Sequence, residues 1–371
     1  METALDAVRI LARRYAFAEV AALLAEGLCG DGLGGDAGFG LSTGTIAQLQ
    51  QLCAFGQRLL DLDAEDFGEA DAAAGANIEH EVASRVGGAG VPASLRERAL
   101  ECRMPQSARE THRGALGTLR PAYRLLLEVI DARFRRRETT GVVVAIHIAS
   151  EYAPLLVWER VFGHAGDPAL LPEALSGKGS RWGNFENRDC PHTKTEKSAA
   201  KRVLHVAREN AVGWRAYLDR QHSNISHALA VCAAACPHPC FVYTRLSPRQ
   251  AETATIGSRI ALALNRSAIL RLRHSAPVGH GFGVPSRAEL LDAWERTRES
   301  LTRLAPSVGG DDGFVLPGFA NLVSTLAGER LEAGTLIADT AAGITDLLTP
   351  TVMREPALSP TRVPAPPAPD R

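Results

Sequence analysis

Val142-Val-Val-Ala-Ile-His-Ile148 decides how this chain is built, because the run can be read in two ways. Its β-branched residues suit a buried strand, with a helix starting afterwards at Ser150. They also suit one buried helix that continues through Leu155-Leu-Val-Trp158 to Phe162, kinked at Pro154. Periodicity does not separate these readings in a short apolar run, so length arbitrates. No glycine interrupts Val142 to Phe162, a span far longer than an ordinary strand, and the helix is preferred. On that helix His147 and Glu151 are four residues apart and share a face. The surroundings are apolar, and a glutamate buried there must be paired or change its pKa. The two residues are therefore read either as a structural hydrogen-bonded pair or as a functional one, His147 binding metal and Glu151 acting in catalysis.

The next informative stretch runs from Cys190 to Cys240. Four of the seven cysteines and five of the eleven histidines lie in it. No proline occurs between Lys194 and Cys236, which predicts about ten turns of helix. Val203, Ala207, Trp214, Leu218, Ile225, Leu229, Cys232 and Cys236 fall within an arc of about 80° on that helix. A narrow seam of this kind suits packing on another helix, including one from a second copy of the chain. Cys232 and Cys236 on the seam read first as small core hydrophobes. The sharper reading has Cys232 and Cys236, four apart on the helix, holding zinc with Cys240 or His238 from the turn that ends it, although the spacing is not a standard zinc pattern. His205, Glu209 and His227 gather within about 40° on the opposite face, where a solvated polar surface competes with an iron site. His222 lies at the edge of the seam, read most simply as a partly buried histidine with one hydrogen bond and otherwise as a further metal ligand. The loop before this stretch carries Arg181, Trp182 and Arg188, two cations beside an indole that would suit a carboxylate, a phosphate or haem propionates.

Elsewhere the signals are helical. Residues 3–27 predict one or two amphipathic helices, and Thr43 is expected to cap a helix to Leu62. Ser94 is expected to cap a helix to Cys102, Ser107 to start one to Leu119, and Pro121 to open Ala122–Arg136. Ser247-Pro248 should start a helix to about His274, and Ser286-Arg-Ala-Glu289 is a capping box. Phe319–Leu348 reads as helix with glycine interruptions. Phe241–Leu246 is the one further candidate for a strand. Gly30, Gly32 and Gly35 match a dinucleotide-binding spacing, but a helix precedes them where a strand is needed. His280-Gly-Phe-Gly283 marks another candidate loop.

The expected fold is a large, mainly α, bundle-like globule with at most one short strand pair. Residues 1–105 form an N-terminal helical region, 106–349 the main domain and 350–371 a proline-rich disordered tail. Net charge is −1, and the basic runs Arg133–Arg137 and Lys194–Arg202 are local, so nucleic acid is not expected as a partner. No segment reads as a membrane span, the N-terminus lacks a secretory pattern, and scattered cysteines fit a reducing cytoplasm. The function expected is a cytoplasmic metalloprotein, an iron- or haem-dependent oxidative enzyme acting on a small molecule. A helical interaction or regulatory protein with structural or zinc-bound cysteines is the alternative. No P-loop, G-x-S-x-G or H-E-x-x-H motif is present.

Overall fold

The computed structural model describes residues 2–29, 40–63, 90–105, 107, 109–167, 169–170, 193–195, 214–237, 241–275 and 283–349. Every regular element among them is helical. The helices are α1 (Glu2–Arg13), α2 (Phe17–Cys29), α3 (Thr43–Leu60), α4 (Ala93–Cys102), α5 (Gly114–Gly117), α6 (Arg120–Arg135) and α7 (Thr139–Phe162). There follow α8 (Trp214–Ala235), α9 (Phe241–Thr244), α10 (Pro248–Asn265), α11 (Ala268–Ser275), α12 (Arg287–Thr302), α13 (Phe319–Ala327) and α14 (Leu336–Leu347).

The run Val142–Ile148 is helical, and α7 is the hub of the molecule. It packs against α6, α8, α10, α11, α12 and α13, which explains why its apolar residues go all the way round. With 24 residues it is long and apolar enough to cross a membrane, contrary to the expectation that no segment approaches that length. Here its apolar surface is covered by neighbouring helices instead. Pro154 lies inside α7, where the ring removes a backbone donor. Hydroxyls from the neighbours bond the carbonyls on either side: Tyr123 Oη donates to Ala149 O at 2.6 Å and Ser226 Oγ to Glu151 O at 2.6 Å.

One buried cluster extends from Val8 to Leu348. The C-terminal helix α14 closes it by packing on α1, α3, α4 and α6. The basic run at 133–137 is absorbed locally. Arg133 donates to Leu60 O at the end of α3 and pairs with Asp61 and Glu138, while Arg136 reaches Tyr15 O.

Several boundaries differ from the sequence reading. Phe241–Thr244 is a helical turn rather than a strand, with the Tyr243 hydroxyl donating to Leu229 O and its ring packed edge-on against Trp158. Ser42, not Thr43, caps α3. Helix α4 begins one residue before Ser94, so Ser94 lies in the first turn and makes no cap. No helix runs from Ser107 to Leu119. Gly114 turns there at φ +45°, and a Cβ on it would come within 2.1 Å of Arg103 O. The helix expected to reach His274 breaks at Arg266, and the free N–H of Ile269 is taken by Thr297 Oγ1 at 3.0 Å. Ser247 and Ser286 both make the expected capping boxes.

Candidate ligand-binding cleft

The N-termini of α6 and α14 have no side-chain cap of their own. Each is served by a buried glutamate from another helix. Glu159 of α7 accepts from the Leu119 N–H at 2.8 Å and the Thr118 hydroxyl at 2.6 Å. Glu128 of α6 accepts from the Ala338 N–H at 2.9 Å through Oε1. A carboxylate at a helix N-terminus meets both free N–H donors and the positive end of the helix dipole. Burial nevertheless pushes the Glu128 carboxyl above its ordinary pKa, opposed by the N–H groups of Ala338, Ile337 and Leu336.

Between these two helix ends and α4 lies a cleft of about 510 Å³. Three arginines line it, Arg98, Arg120 and Arg124, together with three glutamates, Glu101, Glu128 and Glu329. Arg98 is engaged by Asp339 at 2.6 Å and Thr335 at 3.0 Å. Arg120 Nε stands 3.1 Å from Glu329 and 3.5 Å from Glu159, near enough for ion pairs but outside hydrogen-bonding geometry. Arg124 and Glu101 are exposed, and their side chains make no hydrogen bond or ion pair among the described residues. Glu128 is 6% exposed, and its Oε2 is shielded from water without a hydrogen-bond partner among the described residues. An unsatisfied buried acceptor of this kind costs about 1–3 kcal/mol.

This cleft was not anticipated. The signal available was Glu128 itself, a lone carboxylate inside the apolar run Leu125-Leu-Leu-Glu-Val-Ile130. Arg124 carries no comparable signal, because an exposed arginine on a helix is ordinary.

The structure brings some of the expected site residues together. His147 Nε2 lies 3.1 Å from Glu151 Oε1. It also lies 2.5 Å from Arg273 Nη1 of α11, a partner the sequence did not suggest. Nε2 thus faces a guanidinium that can only donate and a carboxylate oxygen, and the tautomer of the ring decides which of the two contacts is a hydrogen bond. A metal on Nε2 would have to displace that cation. The pair also sits at the protein surface boundary rather than in the core, with side-chain exposures of 17% and 33%.

His222 is fully buried on α8, its ring centroid 5.4 Å from that of Tyr152, and burial pushes its pKa down to about 4. Asp167 and the Ala165 backbone act in the opposite direction. Asp167 is itself held bidentately by Arg113 at 2.7 and 2.8 Å. His227 is half-buried on the same helix. Ile225, Leu229 and Cys232 of the seam are buried against the chain's own α7 and α10. Cys232 and Cys236 are in no disulfide among the described residues, the first lying in the core and the second packed at its edge. Among the described residues, no three histidine, cysteine or acidic side chains are grouped so as to hold a metal ion. Arg181, Trp182, Arg188, His205, Glu209, Cys240 and the loop at His280 lie outside the described residues.

No protein-family model, no curated protein and no solved structure matches this chain significantly.

Proposed function

We propose that this protein binds a small polar molecule in the cleft between α4, α6 and α14. The observation that carries the reading is the pairing of two unmet needs in one concave site. Glu128 Oε2 is buried without a donor, and the Arg124 guanidinium has no acceptor among the described residues. A volume of about 510 Å³ suits a small molecule. The test is a thermal-shift screen of small polar metabolites against the full chain and its Arg124→Ala variant. At a concentration about 100 times Kd, a true ligand stabilises the native state by about 2.7 kcal/mol. The expected result is a raised Tm that Arg124→Ala abolishes while leaving the unliganded Tm in place. A screen without a hit, or hits indifferent to Arg124→Ala, would sink the reading.

A second reading, an iron- or haem-dependent enzyme with zinc as the alternative metal, is supported by the His147–Glu151 contact and by the concentration of cysteine and histidine between Cys190 and Cys240. Its test is absorbance and elemental analysis of protein purified without a metal-affinity tag. Stoichiometric iron lost on His147→Ala supports it. Zinc lost on Cys236→Ser supports a structural cysteine site and the regulatory alternative. Folded, colourless, metal-free protein counts against both metals.

A further inference from the structure

Resting on the cleft reading, we infer that the ligand is a free amino acid or a close analogue, a single small molecule bearing both a carboxylate and an ammonium group. The three arginines and three glutamates lining the cleft balance in formal charge, so neither a simple anion nor a simple cation is selected by net attraction. What distinguishes the groups is which of them are already engaged. Asp339 occupies Arg98, and Glu329 and Glu159 occupy Arg120. Arg124 remains, a planar fork of donors that matches a carboxylate through two parallel bonds.

On the acidic side, Glu128 Oε1 is taken by the Ala338 N–H, and Oε2 is left. An ionised carboxylate only accepts, so Oε2 requires a donor, and Glu101 adds a second carboxylate at the same cleft that has no partner among the described residues. A purely anionic ligand would satisfy Arg124 and leave Glu128 Oε2 buried and unpaired. A purely cationic one would leave the guanidinium unanswered as the cleft loses water. A molecule with both groups meets both needs. Glu128 belongs to α6 and faces the first turn of α14, so its position is set by helix packing rather than by a loop.

The test is isothermal titration calorimetry on the full chain with the standard L-amino acids. Each amino acid that binds is compared with its carboxamide, which lacks the anion, and with its deaminated acid, which lacks the cation. At least one amino acid is expected to bind, with both analogues weaker by about tenfold or more, the factor that follows from losing one hydrogen bond between charged groups. Arg124→Ala should weaken the amino acid by a similar factor and leave the carboxamide unchanged. Glu128→Gln should weaken the amino acid and leave its deaminated acid unchanged. If Glu128→Gln fails to fold because α14 loses its cap, the comparison of the amino acid with its carboxamide and its deaminated acid on the wild-type chain still decides. Equal binding of the amino acid and either its amide or its deaminated acid overturns the inference. So does the absence of any amino-acid binding while another polar molecule binds in an Arg124-dependent way, which leaves the cleft reading standing. If nothing binds at all, both fall together.

Discussion

The His222 imidazole is held neutral by burial, well below the pH at which a histidine in water takes up a proton. Its ordinary value of 6.5 falls to about 4 in the fold, even with Asp167 and the Ala165 backbone working to raise it. Arg113, bound to Asp167, takes up much of that carboxylate's capacity to compensate. The sign follows from where the proton goes. Above 6.5 both folded and unfolded chains carry a neutral ring, and stability is fully present. As pH falls from 6.5 toward 4 the unfolded chain binds a proton that the folded chain refuses, and stability drains away; below about 4 the loss is complete. A displacement of this size corresponds to roughly 3 kcal/mol. Urea unfolding just above pH 6.5 and near pH 4 should show the wild type losing about that much more than His222→Phe. Equal losses in the two proteins would assign the acid sensitivity to other groups. The sequence placed His222 at the seam's edge as a partly buried histidine; the complete burial comes from α7 and the 165–167 turn, which no local pattern reveals.

At the scale of elements, the contact between α7 and α10 depends on a missing side chain. Gly257 faces Val157, and a Cβ on Gly257 would come within 2.7 Å of a Val157 methyl. Gly257→Ala should therefore cost about 1–3 kcal/mol through overpacking, despite the better helix propensity of alanine. Adding Val157→Ala to Gly257→Ala should recover part of that loss, a coupling that a double-mutant cycle in denaturant would measure. Independent, additive effects would mean that the two helices do not meet at this point. Helix starts that depend on their own residues were legible, as the capping boxes at Ser247 and Ser286 show. The starts of α6 and α14 were not, because their caps are Glu159 and Glu128 on other helices. The break at Arg266 was hidden for the same reason, since the N–H of Ile269 beyond it is answered by Thr297 from α12.

For the whole molecule, the helical class followed from the chain's own composition and spacing. Long stretches with apolar residues at helical intervals, in a chain with almost no strand signal, bury their faces against other helices. The identity of α7 as the central helix was implicit in its apolar circumference, which only a position surrounded on all sides can shelter. The His147–Glu151 contact was legible because four residues on a helix bring side chains together whatever the fold. Arg273 beside it was not, since α11 is more than a hundred residues away along the chain. The cleft is entirely tertiary: Arg98 and Glu101, Arg120 to Glu128, and Glu329 to Leu336 meet only because α14 returns from the C-terminal end to pack on α4 and α6. Periodicity and capping are local, so the sequence by itself determined the helices and their apolar faces. Which faces meet, and which polar atoms are left without partners where they meet, depends on long-range packing, and only the tertiary structure decided it.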